Sequence, residues 1–161
     1  MDYIKEINNL LETNIDRNKV QPILDFTLLW NLFELKFCNK KCKTNEISKL
    51  VGNIHINNEE KIDNIFNYFR DRYIKYDKTN SKFDKLNFKF IGSDSLKENI
   101  TYNLIHSKNK LETILHIIYR FRNNLFHWEK GVSFINYQIE NFNYANNFLY
   151  LILEYKINPK W

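Results

Sequence analysis

Residues 110–128 read KLETILHIIYRFRNNLFHW, and the apolar spacing of this stretch decides the fold class. On a helix turning about 100° per residue, Leu111, Ile114, Leu115, Ile118, Phe121 and Leu125 gather on one side. His116, Arg120, Asn123 and His127 gather on the other, at helical offsets that make them a contiguous polar ridge. Asn123 and His127 are direct i,i+4 neighbours. Ser107 or Asn109 can start this helix, and Gly131 fits a stop after it.

The same period recurs outward along the chain. Ile4, Ile7, Leu10 and Leu11 outline a short amphipathic helix. Pro22 falls in the first turn of a longer one, with a stripe of Ile23, Phe26, Trp30, Phe33 and Phe37. A lysine-rich turn at Asn39-Lys40-Lys41 follows, and Thr44 caps a short helix through Leu50. Asn57 or Asn58 caps the next helix, whose stripe is Ile62, Ile65, Phe66, Phe69 and Tyr73. Residues 78–95 are polar and read as the longest loop, in which Phe88 and Phe90 alternate with lysines as a short strand-like piece. Ser95 caps a brief helix to His106. A last helix spans residues 134–155, with Tyr137, Tyr144, Phe148, Leu151 and Ile152 as core positions. The expected fold is all-α, an up-and-down bundle of four main helices plus short extra helices, forming a single domain over residues 1–161.

Composition agrees with long helices. The 161 residues hold 13 Phe, 10 Tyr and 3 Trp but only 3 Gly and 2 Pro, too little punctuation for a many-turned β protein. The net charge of +5 arises from 24 basic and 19 acidic residues, so it favours a polyanionic partner only weakly. The 2 cysteines, Cys38 and Cys42, sit four apart with no second Cys/His pair at metal-ligand spacing, and read as reduced thiols. No metal and no cofactor is expected. The first residues do not form a signal peptide, and no apolar run approaches the roughly 20 residues that cross a membrane, so a cytoplasmic protein without membrane contact is expected.

The stretch Arg122-Asn123-Asn124-Leu125-Phe126-His127 holds the residue types that metal-free RNA cleavage needs: a fixed cation for phosphate, and an imidazole that moves protons at neutral pH. Arg122 lies about 140° around the helix from His127, inside the apolar stripe. Glu34 lies in the apolar stripe of the second long helix, beside Trp30 and Phe37. Two opposite charges on otherwise apolar faces predict a Glu34–Arg122 ion pair that aims the guanidinium toward His127. Read without function, the same residues are ordinary. Arg122 and Glu34 become a core ion pair, His127 a last-turn histidine favoured by the helix dipole, and Asn123 and Asn124 solvated amides. His116 and Arg120 read as an ordinary exposed face, and His55 and His106 as surface residues.

An all-α chain of this size with Arg-Asn-x-x-x-His near the end of its penultimate main helix resembles the HEPN superfamily. Arg122, Asn123 and His127 match the family motif in type and order. The wider phrase from Tyr119 to His127, and Trp30, Asn31 and Glu34 in the second long helix, also look like such proteins. Trp128, rather than glycine, follows the histidine. Glu129 stands where some members carry a tyrosine modified by a partner nucleotidyltransferase. The resemblance implies a metal-independent endoribonuclease whose two motifs face each other across a homodimer interface. Arg122, Asn123 and His127 would be catalytic, with Glu34, Asn124, Arg120 and His116 supporting. It also implies an RNA substrate, a role as toxin or phage-defence effector, and a cognate antitoxin or defence-system subunit as partner. Some members have lost catalysis and bind RNA or a protein partner instead, and that alternative stays open.

Overall fold

The computed structural model describes residues 2–39, 41–54, 56, 58–88, 94–126 and 138–157. Its elements are α1 (Tyr3–Leu11), α2 (Gln21–Phe37), α3 (Thr44–Val51), α4 (Glu59–Tyr73), β1 (Ile74–Lys75), β2 (Lys78–Thr79), α5 (Ser81–Asp84), α6 (Asp94–His106), α7 (Lys110–Phe126) and α8 (Ile139–Ile157). The protein is an all-α helical bundle. Its longest helices are α2, α4, α7 and α8, with the shorter α6 completing the packing around α7. No helix among the described residues is long and apolar enough to cross a membrane.

The expected stripes form the core. On α2, Ile23, Phe26, Trp30 and Phe33 are buried. On α4, all of Ile62, Ile65, Phe66, Phe69 and Tyr73 are buried. Asn58 caps α4 by accepting from Lys61 N at 3.1 Å. Glu59 and Glu60 in its first turn, with Arg70 and Arg72 in its last, complement the helix dipole. On α8, Phe148, Leu151 and Ile152 are buried, and Tyr144 stacks on Tyr68 of α4 with ring centroids 3.8 Å apart.

Ring contacts set the helix directions. Phe26 of α2 meets Phe142 at the start of α8, while Lys156 at the end of α8 lies over Phe37 at the end of α2. These two helices therefore run parallel. Phe142 also meets Phe121 near the end of α7. Ser48 of α3, the helix that follows α2, donates to Glu112 at the start of α7. The C-terminal end of α2 thus adjoins the N-terminal end of α7, and these two helices run antiparallel.

Several expectations are corrected. The short first helix exists, capped by Asp2, but Tyr3, Ile7, Leu10 and Leu11 are exposed. Thr44 is the first residue of α3 rather than its cap. Helix α6 begins at Asp94, one residue before the expected cap Ser95. The described part of residues 78–95 is structured rather than loop. Tyr76 and Asp77, at φ 52° and 53°, turn the chain between β1 and β2, as a type I′ hairpin requires of both central residues. Asn80 then accepts from Lys82 N and Phe83 N at 2.9 and 3.3 Å and donates to Arg72 O at 2.8 Å. That clamp starts α5 and turns Phe83, Leu86 and Phe88 into the core. Phe88 is in no strand. Phe90, His55, Asn57, Lys40, Gly131, Phe134 and Tyr137 lie outside the described residues.

Asn80→Ala is expected to lower unfolding stability by about 1–2 kcal/mol, since it removes a cap and leaves Arg72 O without its donor. Urea denaturation measures this directly.

Candidate active site

Helix α7 is enclosed by α3, α4 and α6. Six consecutive residues, Thr113, Ile114, Leu115, His116, Ile117 and Ile118, are buried. The side of α7 that appears polar on a helical wheel is therefore covered. His116 and Arg120, expected on an exposed face, are only 2% and 5% exposed.

Their burial has definite partners. Arg120 Nε donates to Leu86 O at 2.7 Å, and its Nη2 donates to Asn124 Oδ1 at 3.2 Å. Asn124 Nδ2 in turn donates to Lys85 O at 3.3 Å. Arg120 and Asn124, one turn apart, thus clasp two successive carbonyls just after α5. Burial lowers the Arg120 pKa from its usual value, partly opposed by Tyr119. Two hydrogen bonds from the guanidinium offset the cost of enclosing the charge.

His116 lies beside Glu112, Nε2 to Oε1 3.8 Å, and its Nδ1 is buried without a hydrogen-bond partner among the described residues. Burial pushes its pKa down to about 4, against an opposing pull from Glu112. The ring is therefore neutral at physiological pH and shielded from solvent, which suits scaffold rather than acid–base work.

Arg122 and Asn123 differ from these neighbours. Both are half-buried, in the last part of α7. Arg122 Nη1 donates to Asn123 Oδ1 at 3.1 Å. The expected Glu34–Arg122 ion pair is not formed. Glu34 is buried, and its Oε1 accepts from Cys42 N at 3.1 Å. The helix directions supply the reason. Trp30 of α2 meets Tyr119 of α7; Glu34 lies four residues beyond Trp30 and Arg122 three beyond Tyr119 in the opposite direction, roughly 10 Å apart along the axis. A shared apolar stripe does not fix axial level, and the antiparallel packing puts the two charges at different levels. His127 lies outside the described residues.

The cysteines are free thiols. A hydrogen bond with Cys42, then burial, raises the Cys38 pKa. No group of three or more His, Cys, Asp or Glu suited to a metal ion occurs among the described residues. Composition and periodicity gave no sign of a cavity of about 680 Å³ between α3, α4 and the start of α7. Ile54, Ile62, Glu59, Asp63 and Lys110 help line it, and Lys110 Nζ pairs with Asp63 Oδ1 at 2.6 Å. It lies at the end of α7 remote from Arg122. No family model matches the chain, and no curated protein or solved structure matches it.

Proposed function

We propose that this protein is a metal-independent endoribonuclease of the HEPN kind, with Arg122, Asn123 and His127 as its reacting residues. The observation that carries the reading is the division of labour on α7. Arg120 and Asn124 donate to backbone carbonyls, while Arg122 and Asn123, half-buried in the last part of the helix, are bonded to one another. A helix held on three sides gives the guanidinium a firm base, which electrostatic stabilisation of a transition state needs. His127 follows Asn123 by one helical turn in sequence.

In the proposed reaction His127 takes the proton of a ribose 2′-hydroxyl. The 2′-oxygen attacks the adjacent phosphorus, the bond to the 5′-oxygen breaks, and that oxygen receives a proton from a second acid. The products are a 2′,3′-cyclic phosphate and a 5′-hydroxyl. The Arg122 fork suits the phosphorane oxygens, and the Asn123 amide suits orientation of phosphate or ring. One imidazole cannot serve both ends of an in-line displacement, so a second copy supplies the acid in a composite homodimer site. A toxin or phage-defence effector, held in check by an antitoxin or system subunit, is the cellular role this chemistry fits. Glu34, His116, Arg120 and Asn124 are then scaffold residues rather than reacting groups.

The test is incubation of wild type and His127→Ala with mixed cellular RNA in EDTA. Cleavage by wild type that leaves cyclic phosphate ends and is lost in the variant is expected. Equal activity in both proteins would sink the proposal. The alternative is a non-catalytic module that binds RNA or protein. It predicts no cleavage by either protein.

A further inference from the structure

Helix α2 is apolar on both sides. Its inner face carries Phe26, Trp30 and Phe33, yet Leu24, Leu28, Leu32 and Leu35 are 52%, 64%, 47% and 55% exposed on the outer one. On a helical wheel these four fall within about 80°. They run about 16 Å along the axis, a continuous seam rather than scattered leucines. A helix apolar all round is normally enclosed, so this face is missing a partner.

The sequence of the seam selects the occupant. Its spacing reads nearly the same in either direction, so an antiparallel copy of α2 sets Leu24 opposite Leu35 and Leu28 opposite Leu32. Asp25 and Lys36 lie on one flank of the seam, at its two ends, about 100° and 120° around from Leu24. Across a two-fold axis between antiparallel helices, like flanks meet, and Asp25 of one copy comes level with Lys36 of the other. A parallel pairing would instead set each charge level with its own kind on the opposite flank and form no Asp25–Lys36 pair. Neither residue has an ion pair within the chain among the described residues. Asp25 Oδ1 accepts only a local bond from Gln21 Nε2, at 2.8 Å. Asn31, exposed on the same face, interrupts the seam and limits its strength.

We propose that a second copy of this chain docks on the outer face of α2, antiparallel, through the Leu24, Leu28, Leu32 and Leu35 seam with reciprocal Asp25–Lys36 pairs. The contact is isologous, so every interaction occurs twice and this interface by itself joins two copies. The inference stands on α2 alone; Tyr119 of α7 packs on Trp30 of the inner face, so this contact is separate from the composite site proposed above.

Sedimentation equilibrium of the full chain tests it without reference to activity. Wild type is expected to be a dimer or an assembly of such dimers. Leu28→Glu, at an exposed position that leaves the circular dichroism unchanged, is expected to raise the dimer Kd about a hundredfold, because two leucines per dimer are lost and two charges are buried. Asp25→Lys alone is expected to raise it about fivefold, and the exchange Asp25→Lys with Lys36→Asp to restore it. A monomeric wild type, or a dimer indifferent to Leu28→Glu, overturns the proposal. A dimer weakened by Leu28→Glu but not rescued by the charge exchange overturns the antiparallel register.

Discussion

Arg122→Ala is expected to lower RNA cleavage by about 10²–10³-fold, while Arg120→Ala is expected to unfold the protein more readily by about 3 kcal/mol. The two arginines are two residues apart on one helix, so motif reading alone treats them alike. Their surroundings separate them. Arg120 is buried and donates to Leu86 O and Asn124. Truncation therefore removes charge-assisted bonds, leaves a buried carbonyl without its donor and opens space beneath the turn after α5. Arg122 is half-buried and bonds to the neighbouring Asn123. The measurement is crossed: urea midpoints and RNA cleavage for both variants, with cleavage assayed where each is folded. Arg122→Lys sharpens it, because a point charge on a flexible stem cannot replace a planar two-donor fork. It should keep the fold and lose most of the activity. Full cleavage by folded Arg122→Ala, or an Arg120→Ala variant as stable as wild type, would reverse the assignment.

The residues that misled the sequence reading did so for identifiable reasons. Periodicity reports one face of a helix against one environment. It worked for α4, where Ile62, Ile65, Phe66, Phe69 and Tyr73 all face the core. It failed for α7 because this helix is covered on three sides. His116 and Arg120 look solvated on a wheel, but both are buried, and the turn after α5 holds Arg120 through a contact 34 positions away in sequence. On α2 the inner stripe was legible and the outer one was not, because a second leucine row resembles ordinary helix composition. The β1–β2 hairpin lacked the Asn-Gly signature that normally marks a type I′ turn and uses Tyr76-Asp77 instead. The Arg122–Asn123 contact was not legible, because the wheel puts Arg122 in the apolar stripe and Asn123 on the polar ridge. The Glu34 assignment failed because a stripe gives angular position without axial direction.

Lowering the pH from 7 to 4 is expected to remove about 3 kcal/mol of stability through His116 alone. In the fold, burial holds this imidazole near a pKa of about 4, below its ordinary 6.5. Between those values the unfolded chain binds a proton that the folded chain refuses, so stability falls as pH falls. The contribution is fully present above pH 6.5 and lost progressively through that window. Glu112 is the nearby charge that opposes the shift, and Ser48 donates a hydrogen bond to it. Replacing His116 with glutamine keeps a polar side chain of similar reach and removes the titration. Wild type and His116→Gln should therefore converge at low pH, after correction for the variant's own packing cost, with the variant's curve flatter between pH 6.5 and 4. Urea midpoints across that range give the comparison, and parallel curves would mean that His116 is protonated inside the fold. That result would also revive the imidazole as a proton carrier, since a ring that charges in place must exchange its proton with solvent.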